Sequence, residues 1–179
     1  MIRAFAAIAL PEAVRTDLAI LQQGLPVVRA VAPEALHLTL VFLGEVEEPA
    51  LEEVHHAFRA LGAPAFELTL AGVGVFGGDR PRAVWAGIAE SAPLRHLQAK
   101  VEAAARGAGL ELDRRRFVPH VTLARPNPAR LDRARFEDFM ARHAGYRGLG
   151  FAVGDFRLYR SRLGRGGAAY EELARYPLG

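Results

Sequence analysis

The chain has 179 residues, no cysteine and a formal net charge of +3 at neutral pH. A hydrophobic share of 51% and a charged share of 24% are typical of a folded domain and exclude a wholly disordered chain. The lack of thiols excludes disulfide bonds, thiolate metal sites and a cysteine nucleophile. No uncharged apolar run reaches about 18 residues, so we expect that the chain does not enter a membrane. From its length and composition we expect one two-lobed cytoplasmic domain over residues 1–179.

Basic side chains are concentrated in one part of the chain. Residues 111–165 contain thirteen basic and six acidic side chains, whereas residues 1–110 contain nine and twelve. All basic residues except Lys100 are arginine, whose planar guanidinium suits bidentate contacts with phosphate. A high-GC genome explains most of the arginine excess but little of its clustering. The run Arg114, Arg115 and Arg116 is therefore a candidate contact for phosphate groups, and a solvated turn explains it equally well.

The apolar pattern predicts a mixture of strands and helices. In chain order these are a strand at 3–10, a helix from Pro11 to Gly24, a strand at 37–44, a helix from Pro49 to Gly62, strands at 66–75 and 83–89, a helix ending near Gly107, a strand at 117–124, a helix with Leu131, Phe139 and Met140, a strand at 151–160, a turn at Gly164–Gly167, and a strand or short helix at 168–176. The elements lack the regular alternation of a doubly wound fold, which favours an α+β class.

Two tetrapeptides of the chain are nearly identical. They are His37-Leu38-Thr39-Leu40 and His120-Val121-Thr122-Leu123, and their histidines lie 83 positions apart, close to half the chain length. In a strand, alternate side chains share a face, so each copy presents its histidine and threonine together. A duplicated half-domain explains the repeat. We therefore expect a pseudo-twofold molecule with two antiparallel sheets flanking a central cleft and with helices outside.

Paired imidazoles on opposite sides of a cleft suit in-line displacement at phosphorus. One can take a proton from the incoming oxygen while the other protonates the leaving oxygen, and both titrate near neutrality. Thr39 and Thr122 can donate to phosphate oxygens, and Arg125 can offset the phosphate charge. One His-x-Thr alone would indicate an ordinary structural histidine, but two copies in strand-like frames favour catalysis by His37 and His120.

The segments around the two motifs resemble a known family. Residues 117–125 and 37–44 are similar to the two-histidine phosphoesterases, specifically the bacterial 2′-5′ RNA ligase or RNA 2′,3′-cyclic phosphodiesterase branch, and residues 3–8, 74–85 and 159–163 support the likeness. The resemblance implies a bilobal, metal-independent enzyme without a cofactor that opens RNA 2′,3′-cyclic phosphate ends to 2′-phosphomonoesters. It also implies that His37 is the proton donor and His120 the proton acceptor.

Three alternatives remain open at this point. The same site run in reverse would join a cyclic end to a 5′-hydroxyl as a 2′-5′ bond. The histidines of a non-catalytic RNA- or nucleotide-binding module would recognise a terminal phosphate without turnover. A third possibility keeps the chemistry but acts on small cyclic nucleotides or ADP-ribose cyclic phosphate. In each case we expect a monomer without a protein partner.

Other motifs carry weaker signals. Residues 72–77 match the dinucleotide fingerprint Gly-x-Gly-x-x-Gly, but a turn at 78–81 follows where a helix is required. The four remaining histidines lack metal-ligand spacing, so no metal site is expected. Four aromatic residues are expected in the core, while the roles of Phe5 and Tyr159 stay open. The expected core aromatics are Phe42, Phe76, Trp85 and Phe136.

Overall fold

The computed structural model describes residues 1–26 and 29–179, and in this part of the chain it has an α+β fold. The strands are β1 (Ile2–Ala9), β2 (His37–Val46), β3 (Phe66–Phe76), β4 (Ala83–Ile88), β5 (His120–Ala124), β6 (Arg147–Val153), β7 (Asp155–Gly164) and β8 (Gly167–Pro177). The helices are α1 (Glu12–Gln23), α2 (Glu48–Arg59), α3 (Ala92–Gly107) and α4 (Arg133–His143). No helix of the described residues is long and apolar enough to cross a membrane.

The strands form one curled, antiparallel sheet in the order β6-β3-β4-β5-β2-β1-β7-β8. The expected pair of separate sheets is therefore wrong. The eight strands divide into two groups of four. In separate sheets the motif strands β2 and β5 would be unpaired edges, but here they pair with each other through Leu38 and Val121. Outward from this junction each half begins with its motif strand and then the strand that precedes that motif strand in the chain, β1 beside β2 and β4 beside β5.

The helices are exchanged between the two halves of the sheet. Helix α1 follows β1 in the chain but contacts β5 and β6, and helix α3 follows β4 but contacts mainly β2, with a smaller contact to β3. The buried stripe of α3 consists of Leu94, Leu97, Val101 and Ala105, which lie on one face because of the 3.6-residue period. Helix α2 packs on α3 and β8, and α4 packs on β3. Each of α1 and α3 thus contacts the half of the sheet that does not contain its preceding strand.

Three boundaries differ from the predicted elements. The predicted strand at 151–160 is two strands, because the chain leaves the sheet edge after β6 at Gly154 and enters the other half as β7. The predicted strand at 117–124 begins only at His120, directly after Pro119, which has no N–H to donate to a ladder. The segment predicted as a strand or short helix at 168–176 is the strand β8.

Strand β2 contains two bulges, which place one extra residue at Leu40 and one at Leu43 opposite β1. A bulge shifts the alternation of side chains by one position, so Phe42 returns to the face that carries His37 and Thr39. Phe42 is consequently 49% exposed, and the expectation that it lies in the core is wrong.

Candidate active site

The junction of the two half-sheets assembles the four motif side chains on one face. Leu38 and Val121 are opposite each other and fully buried. In this antiparallel register His37 lies across from Thr122, and Thr39 lies across from His120. Directly opposed side chains have Cβ atoms about 5 Å apart, and diagonal neighbours are about 7–8 Å apart, still within reach of long side chains. The two histidines are therefore diagonal neighbours, and both rings are half-buried at the surface of the sheet.

The two imidazoles are oriented by equivalent hydrogen bonds. Nδ1 of His37 donates to the carbonyl of Ala35 at 2.7 Å, and Nδ1 of His120 donates to the carbonyl of Val118 at 2.7 Å. A carbonyl oxygen only accepts, so the proton of each neutral ring resides on Nδ1. Each Nε2 then has its lone pair free to accept a proton, or carries a proton when the ring is charged. The same tautomer in both motifs suits a pair that exchanges acid and base roles.

Burial lowers the pKa of both histidines below their ordinary value of 6.5. The hydrogen bonds to the backbone carbonyls of Ala35 and Val118 oppose this shift. The positive charge of Arg125 lowers the pKa of both rings further, and for His37 the charge of His120 contributes as well. Arg125 is exposed and directly follows the end of β5, three residues after Thr122.

Aromatic rings surround His37. Phe5, at 3% exposure, lies with its ring centroid 4.8 Å from that of His37, and Tyr159 stacks on Phe5 at 5.3 Å. Tyr170 meets the His37 ring edge-on at 5.0 Å. All four rings line a cavity of about 450 Å³. The sequence does not decide between a core and a binding role for Phe5 and Tyr159, and in the structure both line this cavity.

A second set of aromatic rings surrounds His120. Phe76 meets its ring edge-on at 4.9 Å, and Trp85 lies 6.1 Å from it, centroid to centroid. Phe76 is 36% exposed and Trp85 is half-buried, so placing these two in the core is wrong, whereas Phe136 is buried as predicted. The Trp85 ring lies directly over Gly74, where a Cβ atom would collide with it. The Trp85 side chain can therefore adopt this position only over glycine.

A groove of about 830 Å³ adjoins His120. Thr39, Phe42 and Phe76 line it together with His120. Of the arginine run, Arg115 and Arg116 line this groove, whereas Arg114 is exposed and lies outside the lining. Arg115 forms an exposed ion pair with Asp113 at 3.0 Å.

Two residues were not recognised from the sequence, one at the site and one that supports the strand carrying His120. Tyr170 is placed against His37 by the β7–β8 hairpin, whose glycine-rich tip sets the register that pairs Tyr170 with Ser161. Gln22 lies on the apolar stripe of α1, and its Nε2 donates to the carbonyls of Val31 and Leu123, both at 2.8 Å. A glutamine within a buried helical stripe was the available signal, because a buried amide requires hydrogen-bond partners.

The remaining candidate motifs lie outside the site. In residues 1–26 and 29–179, no three His, Cys, Asp or Glu side chains are grouped as a metal site would require. The fingerprint-like segment 72–77 lies in β3 and in the turn that leads to β4, so it precedes no helix. His55 is a structural residue, because its Nδ1 is 2.8 Å from the hydroxyl of the buried Tyr176.

Comparison with known proteins agrees with the resemblance of the motifs. A family profile described as the 2′-5′ RNA ligase superfamily matches residues 11–165. RNA 2′,3′-cyclic phosphodiesterase of Aeropyrum pernix is 36% identical over 153 residues, which cover 84% of this chain and 85% of that protein. The enzyme of the same name from Geobacillus stearothermophilus is 36% identical over 148 residues, 81% of this chain but 46% of that longer protein.

The solved structures agree with the sequence comparison. The crystal structure of Escherichia coli LigT complexed with 3′-AMP superposes with a TM-score of 0.82 at 29% identity, covering 99% of this chain and 98% of that one. The chain therefore belongs to the 2′-5′ RNA ligase superfamily and, within it, to the RNA 2′,3′-cyclic phosphodiesterases.

Proposed function

We propose that this chain hydrolyses RNA 2′,3′-cyclic phosphate ends to 2′-phosphomonoesters by acid/base catalysis with two histidines. The observation that carries the proposal is the matched pair His37 and His120, each with Nδ1 bound to a backbone carbonyl and both on one face of the sheet. The relatives are RNA 2′,3′-cyclic phosphodiesterases, which supports the substrate, and Escherichia coli LigT was solved with 3′-AMP bound.

Each histidine transfers one proton in the proposed reaction. Neutral His120 accepts a proton at Nε2 from a water molecule, whose oxygen attacks the phosphorus. The bond between phosphorus and the ribose O3′ breaks on the opposite side, and O3′ takes a proton from Nε2 of the charged His37. The products are a 2′-phosphate and a free 3′-hydroxyl, and the pair returns to its starting state by exchanging protons with solvent.

The threonines and Arg125 hold the reacting phosphate in this proposal. Thr39 lies across from His120 and Thr122 across from His37, so the two hydroxyls flank the space between the imidazoles. Hydroxyls that donate to the non-bridging oxygens stabilise the charge that develops there in the transition state. Arg125, whose charge reaches both rings, adds a charge-assisted contact to the same oxygens.

The decisive experiment identifies the product. An oligonucleotide with a 2′,3′-cyclic phosphate end is incubated with the protein after exhaustive chelation, and the phosphate is located by 31P NMR. We expect a 2′-phosphomonoester, because O3′ is the proposed leaving group. We expect it to form after chelation, because each proposed step uses only side chains of this chain. A 3′-phosphate product would contradict the assigned leaving group. Loss of activity on chelation that one divalent ion restores would contradict the absence of a metal from the mechanism.

Two related activities are tested in the same assay. Because a catalyst accelerates both directions, adding an RNA with a 5′-hydroxyl to the cyclic substrate should give a small amount of 2′-5′ linked product. A mononucleotide 2′,3′-cyclic phosphate tests action on small substrates, for which the cavity of about 450 Å³ beside His37 is large enough. Binding of these substrates without turnover would instead support a non-catalytic nucleotide-binding module.

A further inference from the structure

The groove beside His120 exposes an unusual amount of apolar surface. Phe42 is 49% exposed, Phe76 36% and Val118 37%, and all three line this groove. Isolated exposed hydrophobic side chains are common, but several in one concave surface indicate a binding site. The guanidinium of Arg3 lies 4.9 Å from the centroid of the Phe42 ring. Arginine beside an exposed aromatic ring is typical of surfaces that bind single-stranded nucleic acid.

This groove and the other cavity lie on different sides of the reacting centre. Thr39 and His120 line the groove, whereas His37 lines the cavity with Phe5, Tyr159 and Tyr170. A nucleotide 2′,3′-cyclic phosphate has two further substituents on its ribose, the base at C1′ and the RNA chain at C4′. These two groups leave the sugar ring in different directions. A cyclic phosphate held between the histidines can therefore place one group in each cavity.

The sizes and linings of the two cavities favour the RNA chain in the groove and the terminal base in the cavity beside His37. The groove, at about 830 Å³, is nearly twice as large as the cavity beside His37, at about 450 Å³. Arg115 and Arg116 lie along the groove, where the phosphates of a longer RNA would follow. Two carboxylates of the groove are already paired with arginines, Asp113 with Arg115 at 3.0 Å and Glu102 with Arg106 at 2.9 Å. Glu111 also lines the groove and is exposed.

We propose that the groove is a second nucleotide subsite, in which the base of the penultimate RNA nucleotide stacks on Phe42. This inference rests on the proposed function, because it takes the cyclic phosphate between the histidines as its starting point. It makes the protein selective for RNA ends over cyclic mononucleotides. Base stacking on an aromatic ring changes affinity by roughly 5- to 100-fold.

The test compares two substrates that share the same terminal nucleoside. One is uridine 2′,3′-cyclic phosphate, and the other is a dinucleotide that ends in it. We expect the wild-type protein to have a higher kcat/KM for the dinucleotide, owing to a lower KM. Phe42→Leu removes the aromatic ring and keeps an apolar side chain, and it should lower the dinucleotide-to-mononucleotide ratio of kcat/KM by roughly 5- to 100-fold. Phe42→Trp keeps an aromatic ring and should keep most of that ratio.

A matched control completes the kinetic comparison. Leu163→Ala removes another exposed hydrophobic side chain, 76% exposed at the β7–β8 hairpin, outside both cavities, and should leave the ratio at its wild-type value. An unchanged ratio in Phe42→Leu would overturn the subsite. An equal loss for both substrates would do so too, because the groove would then hold the terminal base.

Failure of the proposed function has a different signature. If the wild-type protein hydrolyses neither substrate, the acid/base proposal is wrong, and equilibrium binding then decides the subsite. The probes are uridine 2′-phosphate and the matching dinucleotide 2′-phosphate, titrated into the wild-type and Phe42→Leu proteins. A dinucleotide preference that Phe42→Leu abolishes supports the subsite, and equal affinities in the wild-type protein reject it.

Discussion

His37 and His120 have the same hydrogen-bond geometry, so the proposed mechanism makes the two side chains equally necessary. We expect His37→Ala and His120→Ala each to lower kcat by about 10²- to 10⁴-fold, because each removes a proton transfer from the transition state. His96→Ala, at an exposed position on α3, is the matched control and should retain wild-type turnover. Near-wild-type kcat in either folded motif variant would exclude the two-histidine mechanism.

The lowered pKa values of both histidines set the pH dependence. The reactive form needs His37 charged and His120 neutral. The charged fraction of His37 falls as pH rises through its lowered pKa, and the neutral fraction of His120 falls as pH drops through its own lowered pKa. Because kcat/KM reports the free enzyme, its bell-shaped profile should have both limbs below pH 6.5, the ordinary histidine pKa.

Arg125 provides a check on this pH profile. Burial is the main cause of the lowered pKa values, and the charge of Arg125 lowers both further. Arg125→Gln should therefore move both limbs of the kcat/KM profile to higher pH, in addition to weakening substrate binding. A kcat/KM that still increases above about pH 7.5 in the wild-type protein would show that the assigned protonation states are wrong.

At the scale of the elements, the sequence pattern predicts most strands and helices but not the interruptions within them. The buried pair Leu40 and Val41 breaks the alternation of β2, yet a bulge and a strand buried on both faces share this pattern. Phe42 was therefore assigned to the core. The break at Gly154 is equally hidden, because the apolar residues before it are followed by an alternating strand-like pattern with Phe156 and Leu158. Both features depend on which neighbouring strand each residue meets.

The contact of α1 with both motif regions depends on Gln22. Its amide satisfies two carbonyls, that of Leu123 at the end of β5 and that of Val31 in the segment leading to β2. Gln22→Leu would remove two hydrogen bonds, although the Leu123 carbonyl would still accept from the Val31 N–H at 2.8 Å. At about 0.5–1.5 kcal/mol for each lost bond, the free energy of unfolding should fall by about 1–3 kcal/mol. Urea denaturation measures this loss. Gln23→Leu, at the exposed neighbouring position, should change stability by less than about 0.5 kcal/mol. Equal stabilities of the two variants would contradict this role of the Gln22 hydrogen bonds.

At the scale of the whole molecule, the repeated motif predicts two related strands, and β2 and β5 lie side by side at the centre of the sheet. The exchange of α1 and α3 between the half-sheets was not predictable, because an amphipathic stripe does not specify which surface covers it. The exchange ties the halves together through the core. We therefore propose that residues 1–179 form one domain.

The arginine-rich part of the chain gives a prediction about salt. If Arg114, Arg115 and Arg116 contact RNA phosphates, counterion release should make oligonucleotide affinity fall more steeply with salt than mononucleotide affinity. Replacing all three with alanine should flatten the oligonucleotide slope, measured as log Kd against log salt concentration. The control replaces Arg130, Arg135 and Arg142, which line neither cavity beside the histidines. Equal slopes for both substrates, unaltered by the first triple change, would mean that residues 114–116 are a solvated turn.

The junction at Leu38 and Val121 has a mechanical consequence. If the half-sheets rock against each other about that pair, every atom moves in proportion to its distance from the pivot. The outermost strands β6 and β8, at the two ends of the sheet, would then have the largest displacements. His37 and His120 are each next to a pivot residue in the chain, so their separation changes least. Such a movement would change the widths of the two flanking cavities more than it would change the separation of the two imidazoles.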